Sequence, residues 1–223
     1  MKWLAPDGVA AALLVGAAVW WGLGWQGLVP LSAFLISGSL LTRLAGGRDA
    51  RRTATQVLAN GGIAALAAAL GVWPAAMGAI AAAGADTWAT EIGSLSKHPP
   101  RSIRTGAIVP PGQSGGVTAL GTAGGIAGAL AMAACAALVR PGVGSRIVVL
   151  TAAGTIGMLV DSLLGATVQA LYECPVCGRR FERQGDACHG DARLVRGWRW
   201  LDNDGVNFAC TIAGSCAAAL LTL

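Results

Sequence analysis

Charge is what this chain has least of. Of its 223 residues only 12% are Asp, Glu, Lys or Arg, while 54% are hydrophobic; an ordinary soluble domain carries roughly 25% charged residues. The shortage excludes a soluble globular domain and points to an integral membrane protein. Nucleic acid is a poor partner in spite of the net charge of +5, because no soluble basic domain exists to hold it. No cleavable leader is expected: Met1 to Gly24 offers Lys2 alone as a basic flank, and its apolar run leads into "WWGLGWQG" instead of a small-residue cleavage site. That run is expected to be the first span. The phosphate-binding pattern G-x-x-x-x-G-K-[ST] is absent as well, so any nucleotide site must be built differently.

What fills the chain is Ala, Leu, Val and Gly in long runs, and 33 glycines suit helices packed backbone to backbone in lipid. Transmembrane helices are indicated, not a barrel. With about 20 apolar residues needed per crossing, spans are expected near 8–25, 28–45, 55–72, 74–95, 114–139, 146–171 and 204–223. The predicted fold is an all-α, polytopic bundle of about seven spans: one integral membrane domain, 1–223, with a small Cys/His loop at 172–200 between the last two spans. Short cytoplasmic loops collect Lys and Arg. With the N-terminus inside, that side receives Lys2, Arg43, Arg48, Arg51, Arg52, Lys97, Arg101, Arg104, Arg179, Arg180, Arg183, Arg193, Arg196 and Arg199, and the outside only Arg140 and Arg146. Every polar loop is therefore expected on the cytoplasmic face of the cell membrane, facing anionic lipid or an anionic substrate.

Two predicted spans carry polar residues. Asp86, Thr87, Thr90 and Glu91 fall in the fourth, and Asp161, Ser162, Thr167 and Gln169 in the sixth. An ionised carboxylate in the hydrocarbon costs several kcal/mol unless paired, solvated or metal-bound, so such acids point to function; the plainer alternative is snorkelling at a helix end or neutralisation by an Arg. Asp86 and Thr90 share a helix face, as do Thr87 and Glu91. The loop that follows supplies Lys97, Arg101, Arg104 and Thr105, then "VPPGQSGG" with Gln113, Ser114, Gly115 and Gly116. Free backbone amides at a helix start attract anions, phosphate above all; a Pro/Gly-rich turn joining two helices is the other reading. Carboxylates beside such a loop make a metal and phosphate site, since Mg²⁺ takes one or two carboxylates and completes its shell with phosphate oxygens.

A third cluster, "GWRWLDNDGVNF", gathers Asp202, Asn203, Asp204 and Asn207 next to Trp198 and Trp200, which suit the interfacial aromatic belt. Asn203 or Asp204 as a cap for the last helix explains part of it, and a shared or second divalent ion explains the rest. Cys135, Cys210 and Cys216 lie in apolar helix and read as small buried hydrophobes. Cys174, Cys177, Cys188 and His189 share one loop, where "CPVCGRR" has the form of a zinc knuckle. A structural Zn²⁺ is expected, with a disulfide as the alternative that a cytoplasmic loop disfavours; adjacent Cys188 and His189 would need unusual backbone geometry to bind together.

The blocks "ADTWATEIG", "TGAIVPPGQSGGV", "DSLLGATVQ" and "RGWRWLDNDGVNF" occur in this order and resemble those of the integral membrane family known as domain-of-unknown-function 92. The resemblance runs from about Asn60 to the end; the first fifty or so residues show no comparable match. The family includes a plant plastid phytyl-phosphate kinase, and its members often pair the C-x-x-C loop with His-x-Cys, a spacing from which Cys188–His189 departs. The resemblance implies an enzyme that moves a phosphoryl group from a nucleoside triphosphate, CTP in the plant case, to a prenyl monophosphate of phytyl or geranylgeranyl type. In that scheme Asp86, Glu91, Asp161, Asp202 and Asp204 are the catalytic Mg²⁺ ligands. Lys97, Arg101 and Arg104 clamp phosphate while Thr105, Gln113, Ser114, Gly115 and Gly116 cradle it. Thr87, Thr90, Ser162, Gln169, Asn203 and Asn207 contact substrate. A CTP-dependent cytidylyltransferase acting on a lipid phosphate needs the same parts; an ion-coupled transporter is a further reading of the intramembrane acids.

Overall fold

The computed structural model describes residues 3–46, 51–142, 144–183, 188–190 and 192–222. Among them are seven α-helices: α1 (Pro6–Leu23), α2 (Trp25–Leu44), α3 (Ala54–Ala69), α4 (Trp73–Ser94), α5 (Ala119–Val139), α6 (Ile147–Thr167) and α7 (Asn203–Leu221). Pro6 opens α1 at a position where its missing N–H costs nothing. Gly24, at φ 60, then turns the chain directly into α2, its own N–H donating to the Trp20 carbonyl at 2.8 Å; the left-handed backbone there favours glycine.

The architecture is mostly helical, as expected. Five helices are each long and apolar enough to cross a bilayer: α1, α2, α5, α6 with the 3₁₀ turn before it, and α7. The seven-span expectation rests for its other two members on α3, which has 16 residues, and on α4, whose last turns carry Asp86, Thr87, Thr90 and Glu91.

Packing explains why α4 departs from the pattern of an ordinary lipid-facing span. It is the axis of the bundle, in contact with α2, α3, α5, α6 and α7, and all but one of its residues from Trp73 to Ala85 are buried. The outer helices meet the lipid for it, with Leu13, Leu14, Trp21, Leu138 and Val148 turned outward. Lipid gives helices little hydrophobic reason to associate, so close backbone approach and dispersion must hold them. Small residues permit that approach: a Cβ on Gly128 of α5 would lie 2.8 Å from the Gly84 carbonyl oxygen of α4, and one on Gly157 of α6 would lie 2.8 Å from the Cys210 carbonyl oxygen of α7.

Two helix boundaries differ from the sequence expectation by more than three residues, and both shape the site. The fifth helix starts at Ala119 instead of 114, with the Thr118 hydroxyl capping the Gly121 N–H at 2.9 Å. Pro110 and Pro111, followed by Gly112 and Gly115 at φ 80 and 79, cannot continue a helix. They form a turn instead, and β2 (Gly116–Val117) pairs antiparallel with β1 (Arg101–Ser102). The sixth helix ends at Thr167 instead of 171. The chain then enters a three-stranded antiparallel sheet, β4 (Arg180–Phe181), β3 (Leu171–Glu173) and β5 (Arg193–Arg196), with β3 in the centre.

The connections α2–α3, α4–α5 and α6–α7 all lie at one end of the bundle, and most of the cations gather there. Arg140 is at the other end, its guanidinium 4.9 Å over the Trp73 ring. Lys2 and Arg48 lie outside the described residues.

Candidate functional site

At the polar end the helices part around a cavity of about 830 Å³, within the size range of small-molecule sites. Its floor is helical: Asp86, Thr87, Thr90 and Glu91 come from α4, Asp161 and Ser162 from α6, and Asn203 and Asn207 from the start of α7. Its wall is the α4–α5 connection, through Lys97, Gln113, Ser114, Gly115 and Gly116. Chain segments remote in sequence thus meet around one space.

Six expected members stand outside the lining, each for a visible reason. Asp202 caps α7, accepting the Gly205 N–H at 3.1 Å, so it does what was expected of Asn203 or Asp204. Asp204 accepts a hydrogen bond from the Arg183 guanidinium at 3.2 Å, and Arg183 also lies 3.9 Å from Asp202. Arg101 turns back on its own hairpin and donates to the Gly106 carbonyl at 2.9 Å. Arg104 and Thr105, on the same hairpin tip, are exposed. Gln169 lies past the end of α6, where it is fully buried and bridged to Trp198.

Other residues line the cavity that the sequence did not single out for chemistry. Arg51 and Arg52, expected only to mark the inner face, are among them, with Thr42, Gln56, Asn60, His98 and Glu182. Arg52 is held by its backbone: its N–H donates to the Trp3 carbonyl at 3.1 Å and its carbonyl accepts the Ala5 N–H at 3.0 Å. Its guanidinium lies 5.4 Å over the Phe34 ring. Burial lowers its pKa, opposed by the nearby Glu91 carboxylate, yet an arginine stays charged even so. Glu91 in turn accepts the Thr42 hydroxyl at 2.6 Å.

Asp161 on the floor is poorly compensated. Oδ2 of Asp161 is buried with no hydrogen-bond partner among the described residues, and Asp161 lies within the electrostatic reach of both Asp86 and Glu182. A buried, unpartnered carboxylate oxygen within the influence of other acids is uncompensated charge. Glu182 reaches the cavity from just beyond β4. Its Oε1 accepts both the Ser114 N–H, at 3.0 Å, and the Ser114 hydroxyl. The donors expected to cradle phosphate at Ser114 are therefore occupied by a carboxylate of the same chain.

Behind this wall the loop closes on its own cluster. The donor atoms of Cys174, Cys177, Cys188 and His189 all lie within 4.8 Å of one another. His189 Nδ1 is 3.5 Å from Cys174 Sγ and 3.2 Å from Cys188 Sγ, and Cys177 Sγ is 3.2 Å from Cys188 Sγ. Adjacent Cys188 and His189 thus do turn toward one point, against the sequence expectation, and Cys174, Cys177 and Cys188 are free thiols instead of the alternative disulfide. Backbone hydrogen bonding, from Cys177 foremost, lowers the Cys174 pKa to about 6, while the hydrogen bond with Cys177 pushes Cys188 up to about 11. Crowded sulfurs with one thiolate already favoured fit a tetrahedral metal such as Zn²⁺. Of the remaining cysteines Cys210 is buried, whereas Cys135 is half-buried and Cys216 exposed on the outside of α7.

Residues 1–215 match the model of the integral membrane protein family DUF92. The chain belongs to that family. The match includes the first two helices, which the four motifs had not reached. An uncharacterised membrane protein of Methanocaldococcus jannaschii is 31% identical over 98% of this chain and 85% of its own length. Protein PGR of Arabidopsis thaliana is 32% identical over 66% of this chain and 54% of its own. An uncharacterised membrane protein of a Synechocystis species is 29% identical over 97% and 82%. No solved structure matches.

Proposed function

We propose that this DUF92 protein is a membrane-embedded kinase that transfers a phosphoryl group from a nucleoside triphosphate, CTP favoured, to a prenyl monophosphate. The observation that carries the reading is one cavity, at the polar end of a lipid-facing bundle, lined by cations and by acids together: Arg51, Arg52 and Lys97 with Asp86 and Asp161. Phosphoryl transfer asks little covalent chemistry of a protein; it asks for charge neutralisation and in-line positioning of donor and acceptor. Mg²⁺ held by Asp86 and Asp161 would neutralise charge on the phosphates. Arg51, Arg52 and Lys97 hold phosphate oxygens, with Asn203 and Asn207 donating from α7. The acceptor monophosphate is already an anion at neutral pH, so no strong general base is required. Its apolar tail stays among the helices while the head group enters the cavity, whose floor includes Met158 and Leu159. In the cell this end faces the cytoplasm, where the nucleotide is. The Cys/His loop holds a structural Zn²⁺, with four protein donors and no open position.

The test is to incubate purified protein and Mg²⁺ with a panel of prenyl monophosphates and labelled CTP, ATP, GTP or UTP. Release of nucleoside diphosphate with formation of prenyl diphosphate is expected. Pyrophosphate release with formation of a nucleoside diphosphate lipid would assign a cytidylyltransferase instead.

A further inference from the structure

We propose that Glu182 is a built-in competitor for an oxyanion site in the Ser114 turn: its carboxylate holds the two Ser114 donors in the resting protein and gives them up to an incoming phosphate group. The Ser114 backbone N–H donates to Glu182 Oε1 at 3.0 Å, and the Ser114 hydroxyl donates to the same oxygen. One anionic oxygen thus already sits where two donors converge. A phosphate oxygen makes the same demand, a negative charge that accepts from backbone N–H and hydroxyl. These donors belong to the cavity, since Ser114 lines it together with Arg51, Arg52 and Lys97, whose charges draw a polyanion to this wall. The turn itself is fixed against α6. A Cβ on Gly115 would collide with Ala166, and one on Gly165 would lie 3.0 Å from the Gly115 nitrogen. Donors held in this way need no ordering when a ligand arrives.

Glu182, by contrast, has a second place to go. It lines the cavity and also a second hollow of about 560 Å³, and the two linings share Pro111, Gly112 and Gln113 with it. Glu182 therefore stands in the partition between the two spaces. Arg179 and Arg180 line the second hollow, and their charges receive the displaced carboxylate. The move asks only for rotation of a half-buried side chain. Its backbone stays in place between β4, paired with β3, and Arg183, bound to Asp204 of α7 at 3.2 Å. That the incoming phosphate belongs to a nucleoside triphosphate or a prenyl monophosphate rests on the kinase reading above; the exchange at Ser114 does not.

The experiment is equilibrium binding to the full chain in detergent, with pyrophosphate as the probe of the oxyanion site. CTP and a geranylgeranyl-type monophosphate are then titrated each alone, so that no turnover occurs. Glu182→Ala should tighten pyrophosphate roughly 10-fold or more, because apparent affinity rises with the fraction of protein whose donors are free. Ser114→Ala in the Glu182→Ala background should remove most of that gain. A gain that survives Ser114→Ala intact means that Glu182 acts through its charge alone, and overturns the inference. So does an unchanged pyrophosphate affinity in folded Glu182→Ala. If Glu182→Ala does not fold, Glu182→Gln, which keeps the shape and loses the charge, must still tighten the probe in a Ser114-dependent way. The same gain with CTP assigns the turn to the nucleotide, and with the prenyl monophosphate to the acceptor. A Ser114-dependent gain in a protein that forms no prenyl diphosphate would retain the exchange and reject the kinase. Phosphoryl transfer with affinities unchanged in Glu182→Ala would retain the kinase and reject the exchange.

Discussion

Thr42 on α2 donates its hydroxyl hydrogen to Oε1 of Glu91 on α4 across 2.6 Å, and this bond joins two helices at the mouth of the cavity. It gives Glu91 a structural partner that Asp86 and Asp161 lack among the described residues. Thr42→Val removes the donor and leaves a half-buried carboxylate short of one hydrogen bond, which costs about 1–3 kcal/mol. Thermal unfolding in detergent should therefore shift downward, with turnover per folded molecule within a few-fold of normal. A collapse of turnover at unchanged stability would move Glu91 into the catalytic set.

For Asp86 and Asp161 the expectation is reversed. Asp86→Asn and Asp161→Asn each remove charge from an enclosure that has too much of it, so the protein should fold at least as well, while Mg²⁺-dependent turnover is lost. Asp204→Asn should retain turnover, because Asp204 stands outside the cavity lining and its Oδ2 is taken up by Arg183. The measurement is initial rate at saturating Mg²⁺ beside a melting curve for each variant. Normal rates in both Asp86→Asn and Asp161→Asn would abolish the proposed metal site.

Two arginines separate a cavity cation from a hairpin cation. Arg52 lines the cavity, whereas Arg101 is spent on the Gly106 carbonyl. Arg52→Gln should cost about 3 kcal/mol of transition-state stabilisation, the loss typical of one preorganised contact to developing charge. Arg52→Lys should recover only part, because a point charge does not repeat a planar fork. Arg101→Gln should leave kcat/KM unchanged. A loss confined to the KM of nucleotide or of prenyl phosphate would assign Arg52 to that substrate, and a loss in kcat would place it at the transferred group. Equal kinetics in Arg52→Gln and the unmodified protein would return Arg52 to a packing role over Phe34.

The Cys/His cluster is expected to contain about one zinc per chain when the protein is purified without chelator, since four close donors form a closed structural site. Cys177→Ser should abolish that zinc and lower the melting temperature, because metal binding to such a loop is part of its folding free energy. Elemental analysis reads the first result and a melting curve the second. Zinc-free protein that melts no lower after Cys177→Ser would leave the four donors without a metal.

The sequence alone determined the class of molecule and the approximate positions of its helices, because both depend on local quantities. Apolar run length decides whether a segment suits a bilayer, and the run ends where a glycine such as Gly24 or a pair such as Pro110–Pro111 interrupts it. Asp86 and Asp161 were legible for the same reason: an acid inside an apolar helix stands out against its neighbours. So was the Cys174–Cys177 pair, whose spacing is itself the signal. The tertiary structure decided everything that depends on which loop meets which. Nothing near Arg52 in sequence distinguishes it from Arg101 or Arg104; its backbone bonds to Trp3 and Ala5 hold it at the cavity. Glu182 sits in a polar loop where acids are unremarkable, and only the fold of the β3–β4 hairpin brings it 68 positions back along the chain to Ser114. Asp202, Asp204 and Arg101 have the residue types of a phosphate site, yet each is engaged by a partner outside the cavity lining. Charge and hydrogen-bonding capacity are properties of a residue, and the sequence displays them; which of those capacities remains unspent is a property of the packed molecule.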